Sequence, residues 1–157
     1  MKIWMFDLDD TIFDFQKAEE FAFYETMNLA ELKSDKKHLD LYCEINSQMW
    51  KMLELNQITK EELKVRRFSD FLKASSQQYD ANQLKDLYQD RLSQQGCLID
   101  GAIDFLEDMM KKKNLYAATN GITEIQTGRI RKSGLDAYFK KVYISVKING
   151  AGLYPLG

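Results

Sequence analysis

The spacing of apolar and polar positions divides the chain into two textures. Residues 3–8 form a short, mainly apolar run that predicts a buried strand. Residues 15–95 read as helices throughout. Helices are expected over 15–29 and 35–55, and Thr59-Lys-Glu-Glu62 has the form of a capping box that opens the next one. Leu63, Phe68, Phe71 and Leu72 then recur at three- to four-residue spacing, as one buried face requires. Asp80 followed by Gln83 starts another helix, with Leu84, Leu87, Tyr88 and Leu92 as its apolar stripe.

Beyond Gly96 the elements alternate. Asp100 is placed to cap a helix over about 101–112, which closes on Lys111-Lys112-Lys113, where positive charge suits the helix dipole. Leu115–Ala118 reads as a second strand. A helix over about 122–132 stops at Ser133-Gly134, a C-terminal glycine cap, and residues 141–146 read as a third strand. Strand, helix, strand, helix, strand implies parallel pairing through right-handed crossovers. Neither glycine nor proline occurs in the first 95 residues. The predicted fold class is therefore α/β, with a parallel sheet built from 1–14 and 96–157 and an all-helical insertion over 15–95.

Composition narrows the function classes. With 157 residues, 45% hydrophobic and 29% charged, the chain can fold and bury a core. A net charge of −2 gives no electrostatic footprint for nucleic acid. No apolar run approaches the roughly 20 residues of a membrane span, and the start of the chain lacks an export signal. Two cysteines, Cys43 and Cys97, make no disulfide framework, so the expected location is the cytoplasm. The single histidine, His38, rules out a histidine-rich metal site and is expected on a solvated helix face.

The candidate chemistry lies in Phe6-Asp7-Leu8-Asp9-Asp10-Thr11, directly after the first strand. Ligands of open α/β sheets bind beyond the carboxyl ends of strands. Two carboxylates two residues apart there can hold a hard divalent cation such as Mg²⁺. One can instead attack phosphorus, and the other can work as a general acid. An aspartate-rich turn that only caps and shapes the chain is the plain alternative. Ala118-Thr119-Asn120-Gly121 follows the second strand and opens a helix, where backbone N–H groups favour an anion. An ordinary helix cap with a turn glycine explains the same residues.

Taken together, Asp7-x-Asp9-x-Thr11, the helical block and Thr119-Asn120-Gly121 resemble the haloacid-dehalogenase-like (HAD) superfamily. Asn56-Gln-Ile-Thr-Lys-Glu-Glu with Arg67-Phe68, and Thr119-Asn-Gly-Ile-Thr with Ser133-Gly-Leu, are similar to its pyrimidine nucleotidase (YjjG-like) branch. The resemblance implies that Asp7 is a nucleophile forming an aspartyl-phosphate and that Asp9 protonates the leaving alcohol and then activates water. It implies that Mg²⁺ sits on the Asp7 carboxylate and the Asp9 backbone carbonyl, with Thr119 and Asn120 on the transferring phosphoryl. The substrate would be a small phosphorylated metabolite, a pyrimidine nucleoside 5′-monophosphate by analogy, and the helical insertion would cap it.

The family pattern continues with a lysine, usually before a proline, and then an acidic pair. Here Tyr154 precedes Pro155, Lys147 lies too close to Ser145 for the usual spacing, and no acidic residue follows Asp136. A chain lacking those motifs is expected to bind the cation weakly and to leave the first strand as an open edge, a site for self-association or a partner chain. Three outcomes follow: an active phosphomonoesterase, a non-catalytic remnant, or half of a two-chain enzyme. Among smaller signals, Trp4 is expected in the core. Arg67 is expected in an ion pair or against substrate. Gly128 suggests close packing.

Overall fold

The computed structural model describes residues 3–146 and 152–155. By compactness the chain divides into two units, Met1–Glu19 with Leu92–Gly157, and Glu20–Arg91.

The first unit is built on a sheet of order β1-β2-β3-β4, with β1 Ile3–Asp7, β2 Asn114–Thr119, β3 Lys141–Val146 and β4 Gly152–Pro155. The pairs β1–β2 and β2–β3 are parallel, as the alternating pattern predicts. The short antiparallel β4 was not anticipated. Lys147 and its neighbours to Ala151 lie outside the described residues. Leu8, Phe13, Leu106, Leu115, Ile130 and Leu135 form the core of this unit.

Two elements carry the site. The chain leaves β1 in a tight curl: the Leu8 carbonyl accepts from the backbone N–H groups of Ile12 at 2.9 Å and Phe13 at 2.8 Å. Asp10 takes a left-handed φ of 61° there, a conformation aspartate tolerates better than most residues. The curl is tied down by Asp14 N–H to Cys97 O at 3.0 Å and Ile99 N–H to Ile12 O at 2.9 Å. Beyond β2, helix α6 (Thr123–Ser133) ends as expected at Gly134, whose φ of 75° suits glycine.

Three expectations are corrected. The run 3–8 is buried only at Leu8: Ile3, Trp4 and Met5 are exposed on a strand that has β2 alone beside it among the described residues, the edge position expected from the missing late motifs. Trp4, 43% exposed, stacks on Phe6 and carries the Lys113 ammonium 4.7 Å over its ring, so it is not a core residue. Helix α5 (Ala102–Met110) starts from Gly101 at φ 80°, with no side-chain cap, rather than from Asp100.

The second unit is helical: α2 (Lys36–Glu54), α3 (Lys60–Ala74) and most of α1 (Phe15–Leu29) and α4 (Ala81–Ser93). Thr59 and Glu62 form the capping box the sequence announces. His38 forms another with Asp35 at the start of α2, which gives the histidine a structural job the sequence did not suggest. Tyr42, Phe68 and Tyr88 pack ring to ring with centroids 5.2–5.5 Å apart. Arg67 is buried beside them, donating to Asn46 Oδ1 at 3.1 Å with its guanidinium 4.9 Å from the Tyr88 ring centroid. Met49 is buried in the α2–α3 core, and Trp50 and Met52 pack against it.

Candidate active site

Register brings the two candidate segments to one sheet edge. Asp7 pairs with Ala118, so the chain leaves β1 and β2 side by side at their carboxyl ends. Asp7 ends its strand exposed. Its carboxyl is pushed above the ordinary value, first by the protein packed around it, which strips water, and further by the negative charges of Asp9 and Asp10. A backbone hydrogen bond at Leu8 acts the other way.

Asp9 lies within the curl and faces α6. Its Oδ1 accepts from Arg129 Nη1 at 2.7 Å, and its Oδ2 from Gln126 Nε2 at 2.9 Å. Gln126 Nε2 also donates to Thr119 Oγ1 at 2.6 Å, and Gln126 Oε1 accepts from Arg129 Nη1 at 3.0 Å. Asp9, Thr119, Gln126 and Arg129 thus form one connected network. Thr119, Gln126 and Arg129 are buried. Asn120 lies exposed just past the strand end and outside this network.

Arg129 is 1% exposed. Burying a guanidinium is costly unless it is paired. Here Nη1 meets the Asp9 carboxylate, Nε donates to Gln95 O at 3.2 Å, and the cation stands 4.3 Å over the Phe13 ring. Nη2 is buried without a hydrogen-bond partner among the described residues, so the ring face carries part of the compensation.

Gln126 and Arg129 are absent from the sequence reading. The residues in helix 122–132 look like a polar face, and the contact to Asp9 spans 120 positions. The available signal was the glycines. A Cβ on Gly121 would lie 2.4 Å from Gln126 Cγ, and one on Gly128 would lie 2.7 Å from both Cβ and O of Ser93. Gly121 therefore gives room to Gln126; its φ is not left-handed. Gly128 lets α6 approach Ser93, the close packing its position suggested.

The donors here fit a divalent cation in part. Asp7, Asp9 and Asp10 concentrate negative charge in four residues, and that charge already raises Asp7, a strain a cation would relieve. Yet both Asp9 side-chain oxygens are engaged by Arg129 and Gln126, and no group of three or more metal-ligating side chains occurs among the described residues. One carboxylate with backbone carbonyls and water is a donor set suited to Mg²⁺, which keeps several waters.

No family model matches the chain. It is 41% identical over 148 residues to pyrimidine 5′-nucleotidase PynA of Streptococcus pneumoniae (strain ATCC BAA-255 / R6), covering 94% of this chain and 62% of that protein. It is 37% identical over 144 residues to HAD-hydrolase YfnB of Bacillus subtilis (strain 168), covering 90% of this chain and 60% of YfnB. The crystal structure of magnesium-bound YfnB superimposes with a TM-score of 0.86 at 33% identity, over 92% of this chain and 63% of that one. An L-2-haloacid dehalogenase from Xanthobacter autotrophicus shares the fold, with a TM-score of 0.65 at 15% identity, over 90% of this chain and 56% of that one. The chain spans about three fifths of the length of the curated relatives it matches.

Proposed function

Since the chain belongs to the haloacid-dehalogenase-like superfamily by sequence and fold, we propose that it is the nucleophile-bearing part of a phosphomonoesterase acting on a small phosphate ester, a pyrimidine nucleoside 5′-monophosphate. The observation that carries the proposal is the joint placement of Asp7, Asp9 and Thr119 at the carboxyl ends of β1 and β2. The substrate class rests on the name of the Streptococcus relative.

In this reading an Asp7 carboxylate oxygen attacks phosphorus, and the bond from phosphorus to the ester oxygen breaks. Protonated Asp9 gives its proton to the departing alcohol. Water then attacks the phosphoryl on Asp7 while Asp9 takes its proton, releasing inorganic phosphate and restoring Asp7. A carboxylate has about four lone-pair sites. Arg129 and Gln126 occupy one on each Asp9 oxygen, so both oxygens retain capacity for a proton. Thr119 and Asn120 would hold the phosphoryl oxygens. Mg²⁺, bound by the Asp7 carboxylate and the Asp9 backbone carbonyl, would supply charge neutralisation between nucleophile and phosphoryl. The helical unit would serve as a cap over 15–95, excluding water from the reaction.

A second reading has this chain completed by a partner along β1. Its support is the exposure of Ile3, Trp4 and Met5 on an outer strand.

Phosphate release from uridine and thymidine monophosphates and an aryl phosphate, with and without Mg²⁺, tests the proposal. Release that requires Mg²⁺ and disappears in Asp7→Asn is the expected result. Release that persists in Asp7→Asn would sink it, and release only after a partner is added would select the second reading.

A further inference from the structure

We propose that Gln126 and Arg129 are positioning residues that couple the Asp9 carboxylate to the Thr119 hydroxyl, fixing the first and aiming the proton of the second at a bound phosphoryl oxygen. This rests on the phosphomonoesterase reading for its substrate, but its geometry stands on the network itself.

The hydrogen-bond inventory forces the direction of each bond. Arginine only donates, so Arg129 Nη1 requires acceptors, and it finds Asp9 Oδ1 and Gln126 Oε1. That assigns the Gln126 amide: its oxygen faces Arg129, and its NH₂ group faces Asp9 Oδ2 at 2.9 Å and Thr119 Oγ1 at 2.6 Å. Thr119 Oγ1 is therefore an acceptor from Gln126. A hydroxyl has one proton, and this one is not spent on Gln126, so it remains to be donated elsewhere. Thr119 ends β2 one residue past Ala118, the register partner of Asp7, and at that carboxyl end the group that needs the proton is an incoming anion.

Arg129 gives the arrangement rigidity. It is held on three sides, by Asp9, by Gln95 O and by the Phe13 ring, and its helix is set close to Ser93 by Gly128. Gly121 leaves the space through which Gln126 reaches both partners. A carboxylate on a curled loop has several rotamers; two donors from one helix select a single one.

The test compares wild type with Gln126→Leu and Gln126→Glu, each first checked for a wild-type far-UV spectrum and melting transition. Leu removes the amide at similar size. Glu keeps the length but replaces the donor with an acceptor. The first readout is binding of inorganic phosphate by titration calorimetry, which needs no turnover. Both variants should bind about tenfold more weakly, since they no longer hold the Thr119 hydroxyl as an acceptor. The second readout is leaving-group dependence. Uridine monophosphate needs a proton on its departing alcohol, whereas p-nitrophenyl phosphate hardly does, so kcat for the first should fall about tenfold further than for the second.

Unchanged phosphate affinity in both folded variants overturns the proposal. Equal losses on the two substrates also overturn it, because a merely structural defect lowers both alike. If wild type binds phosphate but hydrolyses neither ester, the phosphomonoesterase reading fails while the affinity comparison still decides the positioning claim. If wild type binds no phosphate, both fall.

Discussion

Gly121 and Gln126 share one volume: a Cβ on the glycine would stand 2.4 Å from the glutamine Cγ and 2.8 Å from its Nε2. The turn after β2 is thus open for a side chain, not for an unusual backbone angle. Gly121→Ala should push Gln126 out of the network and leave Thr119 and Asp9 each short of a donor. Loss of a buried hydrogen bond of this kind costs about 1–3 kcal/mol. Chemical denaturation should show a loss in that range, and the activity pattern of Gly121→Ala should match that of Gln126→Leu. A stable Gly121→Ala chain with wild-type phosphate affinity would refute the shared-volume account.

Gly128→Ala meets backbone as well as side chain, with Ser93 O at 2.7 Å from the added Cβ. Replacing glycine by alanine in a free helix gains up to about 1 kcal/mol. Overpacking costs about 1–3 kcal/mol, so the net change should be destabilising. A rise in denaturation midpoint would show that α6 has slack against Ser93.

The capping box at α3 gives a local test in the helical unit. Thr59 Oγ1 accepts from Glu62 N–H at 3.1 Å, and Glu62 Oε2 accepts from Thr59 N–H at 2.7 Å. Thr59→Ala should cost about 1 kcal/mol. Amide exchange should quicken in the first turn of α3, whereas equal protection there in the variant would deny the cap any role.

At α2 the same device titrates. The backbone N–H of His38, which donates to Asp35 Oδ1 at 3.0 Å, is the largest influence holding the Asp35 carboxyl below its ordinary value of 3.8. A depressed folded pKa means stability that is present above that value and lost as pH falls through the lower, folded one. Asp35→Asn should therefore flatten the acid limb of the stability curve below about pH 4 and leave the limb above neutrality alone. An unchanged acid limb contradicts the assignment.

How much of this was legible in the chain depends on how far apart the partners lie. Thr59 with Glu62 and Ser133 with Gly134 are neighbours, and their chemistry marked helix ends to within a residue. The runs at 115–118 and 141–146 kept their strands because apolar positions there face a core. Trp4 misled, since an apolar residue in a strand says nothing of whether the face it points to is covered by another layer. Arg129 was illegible for a different reason. On a helix with Lys132 and Arg131 nearby it looks like a solvated charge, and only the fold brings Asp9 to it from 120 positions away.

The most direct test of the account concerns the covalent step. Asp9→Asn cannot take a proton from water, but p-nitrophenyl phosphate needs little help to leave. The variant mixed with that ester, quenched in acid and digested for mass spectrometry should carry a phosphoryl group on Asp7. A variant that carries none, or carries it on another residue, would contradict the assignment of Asp7 as nucleophile and with it the proposed reaction.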